Sequence, residues 1–231
     1  MLLLAAGVLF IFVRKEEFMR KLRFGSLLPG LVLILLLLAA CSGQNSRPYS
    51  ETFDDLGSWS SGDDTYTEGQ VVNGVYDLLI KGDDVSRWAA AGEDFSDGIY
   101  EVEAVQIDGP VDNGYGMLIR ADTESGNFYL FKISGDGYVW IGRYRDEAEE
   151  QAIVGNHWFE SAAVNQGLDQ INQLRIEAES GNLIFSVNGQ EVGRVTDNNF
   201  QSGDIGLYAQ TLGFPGVHVQ FDNYTVTPLE K

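Results

Sequence analysis

The sequence YGMLIRA at residues 115–121, followed by NFYLFKIS at 127–134 and YVWIGRY at 138–144, decides the fold class of this chain. All three runs are rich in aromatic and aliphatic residues of the kind that favour β-strands. Turn signals separate them, namely Ser125-Gly126 and Gly135-Asp136-Gly137. Three consecutive strands joined by tight turns predict an antiparallel meander.

The same pattern continues on both sides of this meander. Turn dipeptides such as Asn73-Gly74 and Asn188-Gly189 precede further strand-like runs. No segment shows a convincing helical period, and residues 161–170 are the best candidate for a long irregular loop. The sequence therefore predicts an all-β fold, an antiparallel β-sandwich of two packed sheets, over residues 51–231. Besides the three central strands, strands are predicted at 75–80, 99–107, 174–178, 183–187, 190–196, 205–210 and 217–227.

Several of these segments resemble the concanavalin A-like lectin/glucanase jelly roll. The resemblance covers most of residues 51–228 and extends to 3-keto-disaccharide-hydrolase-like domains and laminin-G-like modules. It implies a jelly-roll sandwich, and these families include glycan binders, glycan hydrolases and structural domains. The segments that carry it are NGYGMLIR at 113–120, NFYLF at 127–131, DGY at 136–138, NQLRI at 172–176, FSVNG at 185–189, GDIGL at 203–207 and VQFDNYTV at 219–226.

The glucanase branch of this resemblance uses two glutamates in the pattern Glu-x-Asp-x-x-Glu. Retaining hydrolysis needs two carboxyl groups about 5 Å apart, which this spacing supplies on one strand face. The nearest match, EVEAVQ at 101–106, lacks the central Asp and ends in Gln106. We therefore predict that Glu101 and Glu103 are solvent-facing strand residues and that glucanase-type catalysis is absent.

The register of the central meander predicts which side chains share a face. One face carries Leu118, Leu130 and Ile141 in a row, and its aliphatic character suits the core. The other face is aromatic, and aromatic rings stack on sugars, although they also fill sandwich interiors. Basic residues at the strand ends are further candidates for ligand contacts. The predicted glycan-binding residues are Tyr115, Arg120, Tyr129, Tyr138, Trp140 and Arg143.

Residues 41–231 carry 10 Lys and Arg and 32 Asp and Glu, a net charge of −22, because five of the 15 basic and two of the 34 acidic residues precede them. This charge disfavours nucleic acid and anionic surfaces, and it suits neutral ligands, cations or basic partners. Carboxylates also ligate calcium, and many jelly rolls of the class that the chain resembles hold a structural Ca²⁺ between the first segment and the last strand. The predicted ligands are Glu51, Asp54, Asp55 and Asp222. The pairs Asp63-Asp64 and Asp83-Asp84 are alternative ligands, and solvated acidic turns are the alternative to any metal site. No other cofactor is predicted.

The single cysteine, Cys41, lies in the sequence LAAC at 38–41, after a positively charged segment and the apolar run LVLILLL at 31–37. This order is typical of an export signal, and the tetrapeptide resembles a bacterial lipobox, whose cysteine is acylated. Acylation would also remove a free thiol that has no disulfide partner. An uncleaved transmembrane helix is the alternative, but the apolar segment is short for a span.

Residues 1–40 are therefore predicted to be a signal segment whose true start is Met19, with a longer, two-part signal from Met1 as the alternative. Residues 41–50 are predicted to be the lipidated cysteine and a polar tether. We expect an extracytoplasmic lipoprotein, anchored to a bacterial membrane or cell surface, whose domain binds extracellular or envelope glycan. The alternatives are a 3-keto-disaccharide-hydrolase-like enzyme and a structural or protein-interaction module.

Overall fold

A computed structural model describes residues 47–145 and 149–229. Within these residues the chain forms two antiparallel β-sheets, so the predicted all-β sandwich is confirmed. The predicted signal segment 1–40 and the predicted lipidation site Cys41 lie outside the described residues. No helix in the described ranges is long and apolar enough to cross a membrane.

The strands account for most of the described residues. In chain order they are β1 Tyr49–Glu51, β2 Gly62–Asp63, β3 Thr67–Val72, β4 Val75–Ile80, β5 Ser86–Phe95, β6 Gly98–Asp108, β7 Gly114–Asp122, β8 Asn127–Ser134, β9 Tyr138–Arg145, β10 Glu149–Glu160, β11 Ile171–Glu179, β12 Asn182–Val187, β13 Gln190–Thr196, β14 Gly203–Gln210 and β15 Val217–Pro228.

One sheet has nine strands in the order β13-β12-β11-β6-β15-β4-β3-β2, with β1 also paired to β15. The other sheet has six strands in the order β10-β9-β8-β7-β14-β5. The predicted central meander is thus β7-β8-β9 of the six-stranded sheet. Strands far apart in sequence pair at the centre of both sheets, as β6 does with β15 and β7 with β14.

Every strand predicted from the sequence is present, whereas β1, β2, β3, β5 and β10 were not predicted. Residues 86–95 of β5 include three consecutive alanines, which have low strand propensity. The strand forms because β14 supplies a full antiparallel partner, for example Leu207 opposite Ala89. Tertiary pairing here overrides local preference.

The main core lies between the two sheets, and it reverses the predicted faces of β7 and β8. Met117 and Phe131 point inward and are fully buried. Leu118 and Leu130, predicted to face the core, lie in a separate cluster on the other side of the six-stranded sheet. The packing of the aromatic face in the core, which the sequence left open as an alternative, is the arrangement found.

The hairpin between β8 and β9 differs in register from the prediction, which placed Leu130 and Ile141 in one row. The structure pairs Phe131 with Ile141. The turn 135–137 has three residues, and Gly137 takes a left-handed φ of 98° that favours glycine. The predicted register implies a two-residue turn. The third turn residue shifts the pairing by one position and so moves every β9 side chain to the opposite face of the sheet. The prediction was therefore wrong for β9, whereas the predicted pairing of β7 with β8 is confirmed.

Candidate functional site

The outer face of the six-stranded sheet, which points away from the nine-stranded sheet, carries a second hydrophobic cluster. Sheet faces exposed to water are usually polar, so a group of large rings on such a face needs an explanation. Strands β5, β8, β9, β10 and β14 all contribute rings to it. We call this group the outer-face cluster, and it consists of Trp88, Phe128, Trp140, Tyr144, Trp158 and Tyr208.

Strand register brings the cluster together. Tyr208 of β14 lies opposite Trp88 of β5 on one side and opposite Gly116 of β7 on the other. Gly116 in turn lies opposite Lys132 of β8, and Lys132 lies opposite Trp140 of β9. These five residues form one row across five strands. A lysine therefore occupies the row between two aromatic positions, with a glycine beside it.

Glycines on the outer face of the six-stranded sheet let two indole rings lie close to the backbone. A Cβ atom on Gly142 would lie 2.2 Å from Cη2 of Trp140, and one on Gly114 would lie 2.9 Å from Cη2 of Trp158. Each ring thus occupies space that any larger residue would fill. The positions of both indole rings therefore depend on glycine at 114 and 142.

Trp158 reaches this face because β10 bulges. Val154 pairs with Ile141, but the next pairing along β10 joins Phe159 to Val139. Residues 155–158 therefore oppose a single residue of β9, and such bulges re-aim side chains at the edges of sheets. The indole of Trp158 extends across β9 and β8 to Gly114 of β7.

Lys132 lies beneath these rings with its side chain 1% exposed. Its Nζ is 4.3 Å from the ring centroid of Trp140, 5.3 Å from that of Trp158 and 5.4 Å from that of Tyr208. At these distances an ammonium group is attracted to the negative faces of the rings. Burial lowers the pKa of Lys132, and the nearby charge of Glu150 opposes that shift.

Two acceptors complete the surroundings of the buried ammonium. Nζ of Lys132 donates to the carboxylate of Glu150 and, at 2.7 Å, to Oε1 of Gln210. The hydroxyl of Tyr208 donates to the same Gln210 oxygen at 3.1 Å, and it lies 3.3 Å from the hydroxyl of Tyr144. Glu150 is 37% exposed, so its carboxylate connects the buried network to solvent.

The predicted ligand residues do not share a face. Tyr115 and Tyr129 are fully buried in the main core, where they cannot contact a ligand. Trp140 belongs to the outer-face cluster, and the partly exposed Tyr138 lies two residues before it on the same strand. The error follows from the register of β9, which places Trp140 on the opposite face from Tyr115 and Tyr129.

Arg120, also predicted to bind ligand, is instead a buried anchor with a left-handed φ of 53° at a bulge in β7. Its side chain has no exposed surface. The guanidinium donates to the Ser96 carbonyl at 3.3 Å, the Phe200 carbonyl at 3.0 Å and Oδ1 of Asp97 at 3.1 Å. These bonds join three separate chain segments, so the role of Arg120 is structural.

Arg143, also predicted to bind ligand, is hydrogen-bonded to other side chains of the protein. Its guanidinium donates to the carboxylate of Asp197 and to Oε1 of Gln151. The Tyr129 hydroxyl also donates to Asp197, at 2.6 Å. Burial acts to raise the pKa of Asp197, but hydrogen bonds from Tyr129 and Asn199 and the charge of Arg143 outweigh it, so this pKa is lowered. Arg143 and Tyr129 thus meet at a structural carboxylate.

The predicted calcium ligands each accept a hydrogen bond from a nearby residue. Glu51 accepts the Phe53 amide, for example, and Asp55 accepts the Gly57 amide. In the described ranges, no group of three or more His, Cys, Asp and Glu side chains is arranged to hold a metal. Calcium binding by Glu51, Asp54, Asp55 and Asp222 stays a prediction.

The glutamates of the degenerate glucanase motif lie on β6 of the nine-stranded sheet, where burial alternates along the strand. Glu101 is 3.6 Å from Arg175, and Glu103 accepts a hydrogen bond from Asn223. Gln106 points inward and is buried. The two glutamates are therefore partly exposed strand residues, as predicted, and they lie on a different sheet from the outer-face cluster.

Sequence reasoning missed Trp88, Lys132, Glu150 and Trp158. A signal was present in β8, because NFYLFKIS is apolar on both faces and so predicts a strand covered on both sides. Lys132 within that run is a charge in a buried setting, which usually marks a paired or functional group. No local signal indicated the bulge that brings Trp158 over the sheet.

No protein-family model matches the chain, and no curated protein sequence matches it significantly. Solved structures do resemble it. The carbohydrate-binding module CBM66 from Bacillus subtilis has a TM-score of 0.57 and 16% identity over 72% of this chain and 93% of its own. A Bacillus subtilis protein of unknown function with a galectin-like fold has a TM-score of 0.57 and 14% identity over 77% and 94%.

A prokaryotic β-1,3-1,4-glucanase (lichenase) from a mouse hindgut metagenome has a TM-score of 0.57 and 16% identity over 79% of this chain and 99% of its own. At such identities these similarities establish the fold. The predicted jelly-roll sandwich fold is confirmed.

Proposed function

We propose that this domain binds carbohydrate at the outer-face cluster. The observation that carries the proposal is the group of rings on the outer face of a sheet, arranged around the buried Lys132 and its ion pair with the partly exposed Glu150. Binding sites of this kind combine apolar and aromatic walls with a few fixed polar groups. The partly exposed rings of Trp88, Tyr144 and Trp158 supply flat surfaces for sugar faces, and the carboxylate of Glu150 supplies acceptors for hydroxyl groups.

Charge narrows the class of glycan. The net charge of −22 on residues 41–231 opposes binding of acidic polysaccharides and favours neutral ones. Among the structurally similar proteins are a carbohydrate-binding module and two glucanases, a lichenase and a laminarinase. Neutral β-glucans are therefore the first ligands to test, alongside a broad glycan array.

Replacing Trp158 by Ala is expected to weaken glycan binding at least tenfold, because the ring forms one wall of the proposed site and covers Lys132. The measurement is a glycan array with the purified wild-type and Trp158→Ala proteins, followed by calorimetric titration of the strongest hit. A wild-type protein that binds no glycan, or a variant that binds as well as the wild type, would contradict the proposal.

Hydrolysis of a glycoside, including one of the 3-keto-disaccharide type, is the second candidate function. It is favoured by the partly exposed carboxylate of Glu150 beside the rings. A retaining mechanism also needs a second carboxyl about 5 Å away. Assaying the array hits for released reducing sugar separates the two functions, since a binding module leaves the glycan intact.

We also propose that the domain is held outside the cytoplasm by a lipid on Cys41, which the sequence LAAC at 38–41 supports. Two acyl chains anchor a protein stably, whereas one does so marginally. Cys41→Ser should abolish incorporation of a fatty-acid probe in cells and shift the protein to an unprocessed or soluble form. Equal labelling of both proteins would contradict the anchor.

A further inference from the structure

A surface depression lies at the side of the sandwich, where the edge strand β5 faces the turn between β2 and β3. Its lining differs from that of the core, because it combines an exposed ring with both a cation and an anion. It also shares one residue with the outer-face cluster, namely Trp88. The centroid of the Trp88 ring lies 6.0 Å from that of Phe128. We call it the edge depression, and it is lined by Asp64, Tyr66, Val85, Ser86, Arg87 and Trp88.

Tyr66 presents an exposed ring on a fixed backbone. The residue is 60% exposed, yet its carbonyl accepts the amides of Lys81 at 2.7 Å and Gly82 at 3.0 Å. Its ring also lies against Gly82, where a Cβ atom would be 3.0 Å from Cδ1 of Tyr66. A ring held in this way loses little conformational entropy when a ligand stacks on it.

Charged groups stand beside this ring. Asp64 accepts the amides of Tyr66 and Thr67 at 2.8 and 2.7 Å, and these bonds lower the pKa of its carboxyl, so it is ionised at neutral pH. Arg87 donates to the Thr67 hydroxyl at 2.7 Å, and its Nη1 lies 3.9 Å from Asp64. A carboxylate and a guanidinium beside a flat ring suit the hydroxyl groups of a sugar.

We propose that the edge depression is a second sugar subsite, so that the protein binds a linear oligosaccharide running from the outer-face cluster over Trp88 onto Tyr66. This inference rests on the proposed function of the cluster. Because β5 is the last strand of its sheet, a chain that leaves the cluster over Trp88 meets no further strand of that sheet before this depression. Affinity should then depend on chain length.

The test uses linear β-1,3-glucan and mixed-linkage β-1,3-1,4-glucan oligosaccharides of two to eight sugars, titrated calorimetrically into the purified protein. For the wild type we expect affinity to rise with length and then level off. Tyr66→Ala should weaken binding of the long oligosaccharides about tenfold and leave the short ones unchanged. Tyr66→Phe should retain wild-type affinity, because it keeps the ring.

Ile171→Ala is the matched control, since Ile171 is 59% exposed and lies on β11 of the other sheet. It should bind every length as the wild type does. If Tyr66→Ala equals the wild type at all lengths while Trp158→Ala still abolishes binding, the edge subsite is overturned and the proposed function stands. If no oligosaccharide binds the wild type, the proposed function fails for β-glucans and the edge subsite with it.

Discussion

Arg120→Met is expected to lower the free energy of unfolding by about 3–5 kcal/mol, the range for removing one partner from a buried ion pair. The change removes the guanidinium donor of the Phe200 carbonyl and one donor of the Ser96 carbonyl, which keeps its bond from the Tyr100 hydroxyl. It also removes the guanidinium from the Asp97 carboxylate, which among the described residues then keeps one donor, the amide of Ser180. Urea denaturation of the purified protein measures the loss.

Arg194→Met is the control for this change. Arg194 is 65% exposed and pairs with Glu191 three residues away. A surface pair of this kind contributes roughly 0–1 kcal/mol to the free energy of unfolding, so the urea midpoint of Arg194→Met should differ little from that of the wild type. If Arg120→Met were as stable as the control but had lost glycan affinity, Arg120 would be a ligand residue after all.

Lys132→Met is expected to retain stability and to lose glycan affinity. Its free energy of unfolding should be within about 1 kcal/mol of the wild-type value, or higher. Methionine has a similar length and packs well against aromatic rings, and it removes a buried charge whose desolvation is unfavourable. Glu150 is 37% exposed and can return to water, while Gln210 keeps its bond from Tyr208.

Glycan affinity should nevertheless fall at least tenfold in Lys132→Met, because the ammonium holds Glu150 and Gln210 in position at the site. Calorimetric titration and urea denaturation of the same preparation separate the two effects. A variant that loses stability and keeps its affinity would make Lys132 a structural residue. A buried charge that lowers stability and is retained for binding is the signature expected of a functional site.

Comparing these two cations shows what the sequence could and could not predict. Both are single basic residues within apolar strands, and the sequence offers no way to tell them apart. Their roles diverge because a bulge in β7 turns Arg120 toward Ser96 and Phe200, distant in sequence, whereas regular alternation places Lys132 under the rings. Partners supplied by remote segments cannot be read from local pattern.

The register of β9 shows the same limit on a smaller scale. Strand positions 138–144 follow directly from aromatic and aliphatic composition, and they are correct to within one residue. Which face Trp140 occupies depends on whether the turn before it has two or three residues. Because side chains alternate with a period of two, that single residue decides between the core and the candidate site.

By itself the sequence determined the fold class and most of the strands, because alternation and turn residues are local properties that each segment carries. It also determined the charge that favours neutral ligands. Only the tertiary structure decided where the site lies, since the outer-face cluster draws Trp88, Trp158 and Tyr208 from three strands widely separated in the chain. Pairing across the sheet and the bulge in β10 bring these rings around Lys132, and neither is a property of any one segment.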